Sequence, residues 1–214
     1  VPRSKGELEE KEVRIAALTG AGVSKASGVP TFVEMGDLRD KLSRQYFEAH
    51  PEEFYRILNE MRAVTEVAMP NPAHIALAQH HLPIVTMNID GLHHKAGSTE
   101  DEVIEIHGSL RKVFCPECDG WFPFFTTETS IWCPQCGDTL LQPDVVLYGD
   151  NIPRLYDAME KVSKVDLLLV VGTSFYTSTA TYVSQAAQRA GADVRIINEN
   201  AEEEVPRFLK EYGE

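Results

Sequence analysis

Two C-x-x-C pairs, Cys115-Pro116-Glu117-Cys118 and Cys133-Pro134-Gln135-Cys136, hold all four cysteines of this 214-residue chain. A C-x-x-C knuckle lets two thiolates reach one ion, and a second knuckle completes a tetrahedral shell. Proline after the first cysteine of each knuckle, and Gly137 after the last, suit tight turns. A redox dithiol, two disulfides or buried cysteines that pair by chance would use the same residues. The duplicated spacing favours one zinc ion. Four sulfurs fill its shell, so the metal is expected to staple a fold and perform no chemistry. Function has to be sought elsewhere in the chain.

A hydrophobic content of 43% with 25% charged residues belongs to a globular chain large enough to bury a core. No apolar run approaches membrane-spanning length, and Val1 to Lys11 is too polar for a signal peptide. Val1-Pro2-Arg3-Ser4 is set aside as a foreign leader, so a single domain is expected from 5 to 214. Thiols reserved for zinc fit a reducing compartment, and the cytoplasm is expected. A net charge of −13 argues against a phosphate-neutralising nucleic-acid surface. Part of that charge sits at Glu199, Glu202, Glu203 and Glu204, read as a solvated face. A monomer without membrane or nucleic-acid contacts is expected.

Apolar runs bounded by turn residues alternate with helical patterns. Val13–Leu18, Ile84–Asn88, Val103–His107, Asp166–Gly172 and Asp193–Asn198 read as strands. Pro51–Val67 reads as a helix with Phe54, Ile57, Leu58 and Met61 on one face. Asn71 and Pro72 cap and open another that runs to about His81, and Thr179–Ala190 is a third. This alternation predicts an α/β fold, a Rossmann-like parallel sheet with helices on both faces. The cysteine segment, 110–142, interrupts it as an inserted zinc-ribbon lobe.

Ligands of such sheets bind beyond the carboxyl ends of the strands. Four polar turns stand there. Gly20-Ala21-Gly22-Val23-Ser24 suits a pyrophosphate approached by backbone amides, although its spacing is not G-x-G-x-x-G and a plain glycine turn would look the same. Asn88 and Asp90 suit ribose hydroxyls or a carboxamide, but are equally ordinary turn residues. His107, before Gly108 and Ser109, suits a general base near neutral pH. Gly172-Thr173-Ser174 suits phosphate or ribose.

Together these residues resemble the sirtuin family of NAD-dependent protein deacylases, in order from about Val13 to Asn198. Gly20 to Ser24, Ser27 to Pro30 and Phe32 resemble its first NAD loop. Pro70 to His74 resembles the helix start before its Asn-Ile-Asp motif, here Asn88-Ile89-Asp90. Ile104 to Ser109 resembles the segment of its catalytic histidine, and the paired C-x-x-C follows in place. Pro143 to Gly149 resembles the substrate strand, and Val171 to Ser174 the adenosine-side loop.

The resemblance implies NAD as cosubstrate, held by Gly20, Ala21, Gly22, Ser24, Phe32, Asn88, Ile89, Asp90, His107, Gly172, Thr173, Ser174 and Asn198. It implies His107 as the base on a ribose hydroxyl and Asn88 as the residue orienting ribose and water. An acylated-lysine protein or peptide would add as a strand beside Val146, Leu147, Tyr148 and Gly149. Free lysine, nicotinamide and O-acyl-ADP-ribose would be the products, by way of an alkylimidate. One structural zinc at Cys115, Cys118, Cys133 and Cys136 agrees with the spacing argument.

The chain also departs from the family pattern. Val33 stands where an arginine is usual, leaving Arg39 or Arg44 as substitutes, and Met87 replaces a glutamine. Thr31 replaces an aspartate and Gln142 an arginine. Phe175-Tyr176-Thr177 and Thr179 replace a Leu-x-Val and a proline. Two rival activities follow: ADP-ribose transfer to a protein or to water, and non-enzymatic binding of NAD or ADP-ribose. The segment from Glu34 to Tyr46 lacks the tyrosine–arginine pair of relatives that take acidic acyl groups, which leaves acetyl and longer apolar chains.

Overall fold

The computed structural model describes residues 13–31, 34, 38–174 and 178–212. Five short apolar segments form one parallel sheet: β1 (Ile15–Thr19), β2 (Ile84–Thr86), β3 (Val103–Glu105), β7 (Leu167–Val171) and β8 (Asp193–Ile197). Their order is β3-β2-β1-β7-β8, every pair parallel. β7 is buried along its whole length, as a central parallel strand with both faces covered should be.

Alternate side chains of the strands feed two cores. Ala16, Leu18, Val85, Leu168 and Val170 pack under α6 (Leu155–Val162) and α7 (Ser178–Arg189). Ala17, Ile84, Leu169 and Val171 face α4 (Pro72–Gln79) and α8 (Ala201–Tyr212). The acidic run that sequence alone assigned to a solvated face opens α8. Glu202, Glu203 and Glu204 form its first turn, where negative charge suits the helix dipole, while Val205 and Leu209 lie buried beneath.

A second sheet, antiparallel and ordered β5-β4-β6, is built from β4 (Gly108–Phe114), β5 (Trp121–Pro123) and β6 (Gln142–Val145). It begins directly after His107, two residues earlier than its cysteines suggested. Its apolar face is not left to itself. Leu110, Val113, Phe124 and Leu141 join Phe47 of α2 (Arg44–Ala49) and Phe54, Tyr55 and Leu58 of α3 (Pro51–Val67) in a third core. Phe47, Phe54 and Tyr55 meet edge to face, and the Tyr55 hydroxyl donates to the Leu141 carbonyl at 2.6 Å. Two one-turn α-helices, α1 (Leu38–Lys41) and α5 (Leu92–Lys95), and two 3-10 helices, Ala21–Ser27 and Phe124–Glu128, complete the elements of the described residues. Among the described residues no helix is long and apolar enough to cross a membrane.

All five expected strands are shorter than the sequence suggested, and two of them end ahead of Asn88 and His107. β2 stops at Thr86 and β3 at Glu105, because beyond them the chain turns toward the site. Of the strand expected from Pro143 to Gly149, β6 covers the part up to Val145; Val146 and Leu147 are irregular, Tyr148 forms an isolated parallel bridge with Ser43, and the chain turns at Gly149. The Asp150 carboxylate accepts from the Leu147 amide at 3.1 Å and the Asp150 amide donates back to the Leu147 carbonyl at 3.0 Å, which folds the backbone over. The amide and carbonyl of Tyr148 are both bonded to the segment 42–44.

Candidate active site

The strand order reverses between β1 and β7, so the crevice of this sheet opens beyond their carboxyl ends. There the loops after the two strands press together. The Gly22 amide donates to the Gly172 carbonyl at 2.8 Å, and Gly172 has φ +63°. A Cβ on Gly172 would sit 2.2 Å from the Val23 nitrogen, and one on Gly22 2.7 Å from the Gly172 Cα. These glycines are needed first for backbone-on-backbone packing. The Gly22 amide and the Thr173 amide, which donates to Asn198 Oδ1 at 3.1 Å, are already engaged within the protein.

Two chambers occupy the crevice. One, of about 550 Å³, is lined by Gly20, Ala21, Gly22, Asn88, Gly172, Thr173, Ser174 and Asn198. The other, of about 460 Å³, is lined by Ile89, Val146, Leu147, Tyr148 and Gly149, with the apolar side chains of Leu42 and Ile152. His107, Met87, Arg39 and Tyr148 belong to both. His107 thus stands where the chambers meet.

The imidazole is held from behind. Its Nδ1 lies 3.1 Å from the Met87 carbonyl, which accepts only, so Nδ1 carries the proton and the Nε2 lone pair faces the junction. Burial holds its pKa below the ordinary histidine value, partly opposed by the Met87 bond. A neutral ring with its unprotonated nitrogen turned toward the junction is what a base at pH 7 requires. The His107 carbonyl accepts from the Val146 amide at 2.9 Å, tying the base to the wall of the second chamber. Gly108 follows at φ +77°, where a Cβ would meet the Asp144 carbonyl oxygen at 2.0 Å.

Behind Asn88 lies a polar network in which every partner can be assigned. The Asn71 amide donates to His74 Nδ1 at 3.3 Å, so the His74 proton sits on Nε2, 3.3 Å from Ser24 Oγ. Ser24 also accepts from Asn88 Nδ2 at 3.1 Å and donates to Asp90 Oδ2 at 2.6 Å. One proton and two lone pairs are all used. The second Nδ2 proton of Asn88 goes to the Gly20 carbonyl at 3.2 Å. The amide orientation of Asn88 is thereby fixed by groups it does not share with a ligand. Burial drives the His74 pKa down to about 4.

The structure brings the expected residues together with two qualifications. Ser24 is fully buried and lines neither chamber among the described residues; its hydroxyl is engaged by Asn88 and Asp90. Asp90 also lines neither chamber among the described residues, and its Oδ1 caps α5 through the Leu92 amide at 2.9 Å. Phe32 and Val33 lie outside the described residues. Of the two arginines that might replace the missing cation, Arg44 is committed. It makes paired bonds of 2.8 Å to Asp150 and a third to Gln142. Arg39 lies over the Tyr148 ring at 5.0 Å and lines both chambers. Sequence reasoning did not assign His74 a role in the site, although its capping position three residues after Asn71 was a usable signal.

The four cysteine sulfurs lie within 4.8 Å of one another, with 3.8 Å between Cys115 and Cys136 and between Cys118 and Cys133. Four thiolates about 2.3 Å from a central ion stand roughly 3.8 Å apart in a tetrahedron. A disulfide would need about 2.05 Å. The set fits a zinc ion and leaves no position for a substrate.

A parallel sheet with a glycine-packed crevice, a base between two chambers and a four-thiolate lobe defines a dinucleotide-dependent enzyme of the Rossmann-like class. Residues 20–178 match the model of the Sir2 family. An NAD-dependent protein deacetylase of Bacillus cereus is 34% identical, over 89% of this chain and 84% of its own length. One from Sulfolobus acidocaldarius is 35% identical, over 90% and 81%. A solved Sir2 structure with p53 peptide and NAD+ superposes with a TM-score of 0.83 at 29% identity, covering 94% of this chain and 93% of the other. A Sir2 bound to a propionylated peptide gives 0.81 at 29% identity, over 94% and 93%. The chain belongs to the Sir2 family, the sirtuins.

Proposed function

We propose that this protein removes acyl groups from lysine side chains at the expense of NAD, releasing nicotinamide and O-acyl-ADP-ribose. The observation that carries the reading is His107 at the junction of two chambers, neutral, with Nδ1 tied back and Nε2 facing inward. The chamber floored by the loops after β1, β7 and β8 is of a size to take NAD, its adenosine side toward Gly172, Thr173, Ser174 and Asn198. The second, walled by Leu42, Leu147 and Ile152, suits an acyl-lysine with an apolar chain. His107 takes the proton from a ribose hydroxyl, and Asn88, held by Gly20 and Ser24, orients ribose and water. Arg39 supplies the cation for the pyrophosphate or its approach. Zinc at the four cysteines would only brace the lobe that carries β6 and the turn beyond it.

The lysine side chain is the principal anchor of the peptide, since most backbone groups of the 146–149 segment are already bonded. The same reading expects a monomer in a reducing compartment such as the cytoplasm, where four thiols reserved for a metal stay reduced.

Incubation with NAD and a panel of acyl-lysine peptides, following nicotinamide, free lysine and peptide mass together, tests the proposal. Stoichiometric nicotinamide and deacylated peptide are expected, with His107→Ala lowering turnover by about two to four orders of magnitude while still binding NAD. Nicotinamide release without deacylation would replace this reading by ADP-ribose transfer or NAD hydrolysis. Binding without turnover would make the protein a sensor.

A further inference from the structure

Nε2 of His107 already has a protein neighbour. Thr179 Oγ1 lies 3.3 Å away, on the first turn of α7 across the junction. Because Nδ1 holds the ring proton, the Thr179 hydroxyl must donate and Nε2 accept. Thr179 is itself buried and its helix is locked by Ala180, Val183 and Ala187 under the sheet, so the hydroxyl is presented from a fixed point. Its β-branched side chain has few rotamers in a helix. The ring is thus clamped between a carbonyl on one side and a hydroxyl on the other.

We propose that Thr179 is a positioning residue for His107, whose hydroxyl guards the Nε2 lone pair in the empty site and then reverses to accept from the imidazolium. The inference rests on His107 being the base of the reaction proposed above. In the resting state the bond is long and weak, so a better-placed substrate hydroxyl displaces it at little cost. When that hydroxyl passes its proton to Nε2, the ring has two N–H donors, and Thr179 Oγ1 turns a lone pair toward the new one. A hydrogen bond from a charged donor is the stronger of the two. Thr179 therefore favours the protonated ring and offsets part of the burial that disfavours it.

The other titratable groups around the junction do not duplicate this role. Lys25, Arg39, Tyr148 and Asp150 line the chambers, and Asp150 is paired with Arg44. Glu105 and Asp144 flank the segment, Glu105 facing Arg111, and Arg154 reaches the Glu105 carbonyl. The ring's shift traces to burial and the Met87 bond, with no contribution from a charged group among the described residues.

Thr179→Val removes the hydroxyl at constant shape, and Thr179→Ser keeps it. In the valine variant kcat should fall about three- to tenfold, the value of one hydrogen bond, with KM for NAD and peptide little changed. The acid limb of its pH–rate profile should move to lower pH. Serine should restore most of both. Nitrogen-15 NMR of the imidazole in the protein without ligands gives an independent readout: His107 should titrate lower in the valine variant than in wild type or serine. Thr179→Ala serves the same comparison if valine folds poorly. An unchanged pH limb and an unchanged ring titration would overturn the inference. The NMR titration needs no turnover, so an inactive wild-type protein would defeat the proposed function and still leave Thr179 to be judged.

Discussion

β4 has a reaction centre at one end and a metal centre at the other, and the two are made in opposite ways. The cysteine cluster takes its ligands from two tight turns and uses four copies of one residue type. The crevice takes single residues from the ends of β1, β2, β3, β7 and β8 and from the first turns of α4 and α7. A closed sulfur shell tolerates no loss, and its support is local, the Gln135 and Cys136 amides donating to Cys133 Sγ at 3.4 Å. The crevice depends on its second layer, because Asn88 and His107 are oriented by Ser24, His74 and the Met87 carbonyl. The lobe should therefore fail all at once, and the crevice by degrees.

The largest effect expected is from the lobe. Structural zinc contributes on the order of 10 kcal/mol to folding in small zinc modules. Cys133→Ser should lose the zinc, one ion per chain in the wild type, and lower the melting temperature by roughly 10 °C or more. Leu42 and Leu147 belong to the same core as Leu141 and Phe124. Peptide affinity should therefore fall before NAD affinity, which calorimetry with each ligand separates. Well-folded wild-type protein without metal, or with disulfides, would remove this half of the comparison.

The crevice's second layer should show itself in acid. A free imidazole titrates near 6.5 and His74 at about 4, because burial disfavours its cation and Asn71 already directs an N–H at Nδ1. Above pH 6.5 neither state binds the proton and His74 adds no pH dependence. As pH falls from 6.5 to 4 the unfolded chain takes it up and the folded chain does not, so stability drops, by roughly 3 kcal/mol once below 4. Burial pushes His93 and His107 in the same direction. Urea midpoints at pH 7 and pH 4.5, in wild type and His74→Gln, should show the smaller acid loss in the variant. Equal losses would mean that His74 is not the titrating member of the network.

How much of this was legible depended on whether a feature is local in the chain. The cluster of four cysteines was, since C-x-x-C encodes its own geometry. Pro51–Val67 was read to its ends, because Pro51 opens it and its apolar face repeats with the helical period. The parallel sheet followed from runs such as Leu167–Val171. The helix after Asn200 was hidden by its acidic first turn, although Val205 and Leu209 four residues apart mark its buried face. Of the stretch from Pro143 to Gly149, β6 takes the part up to Val145, and only Tyr148 pairs beyond it, with Ser43. Arg44 and Arg39 looked interchangeable until Asp150 was seen to hold one of them. Glycines at 20, 22 and 172 were read as phosphate contacts, but the need they meet first is the touching of two loops, which lie far apart in sequence.

The smallest effect expected would sharpen the contrast between those two arginines. Arg44 has three hydrogen bonds and half-buried partners, so it acts on the turn at 147–150 and not on a ligand. Arg39 is exposed, stacks on Tyr148 and lines both chambers, so its charge is available to an anion. A charged hydrogen bond to phosphate is worth about 1.5–3 kcal/mol, and solvent at an exposed arginine brings this toward the lower end. Arg39→Gln should therefore weaken NAD binding about tenfold, and less so as salt is raised, because screening already weakens the wild-type contact. Arg44→Gln should leave NAD affinity nearly unchanged and raise KM for the peptide through the loosened turn. Calorimetry with NAD at two ionic strengths decides between them. If Arg44→Gln proved the more damaging to NAD, the pair with Asp150 would have to open on binding, and the crevice would owe its cation to the more buried arginine.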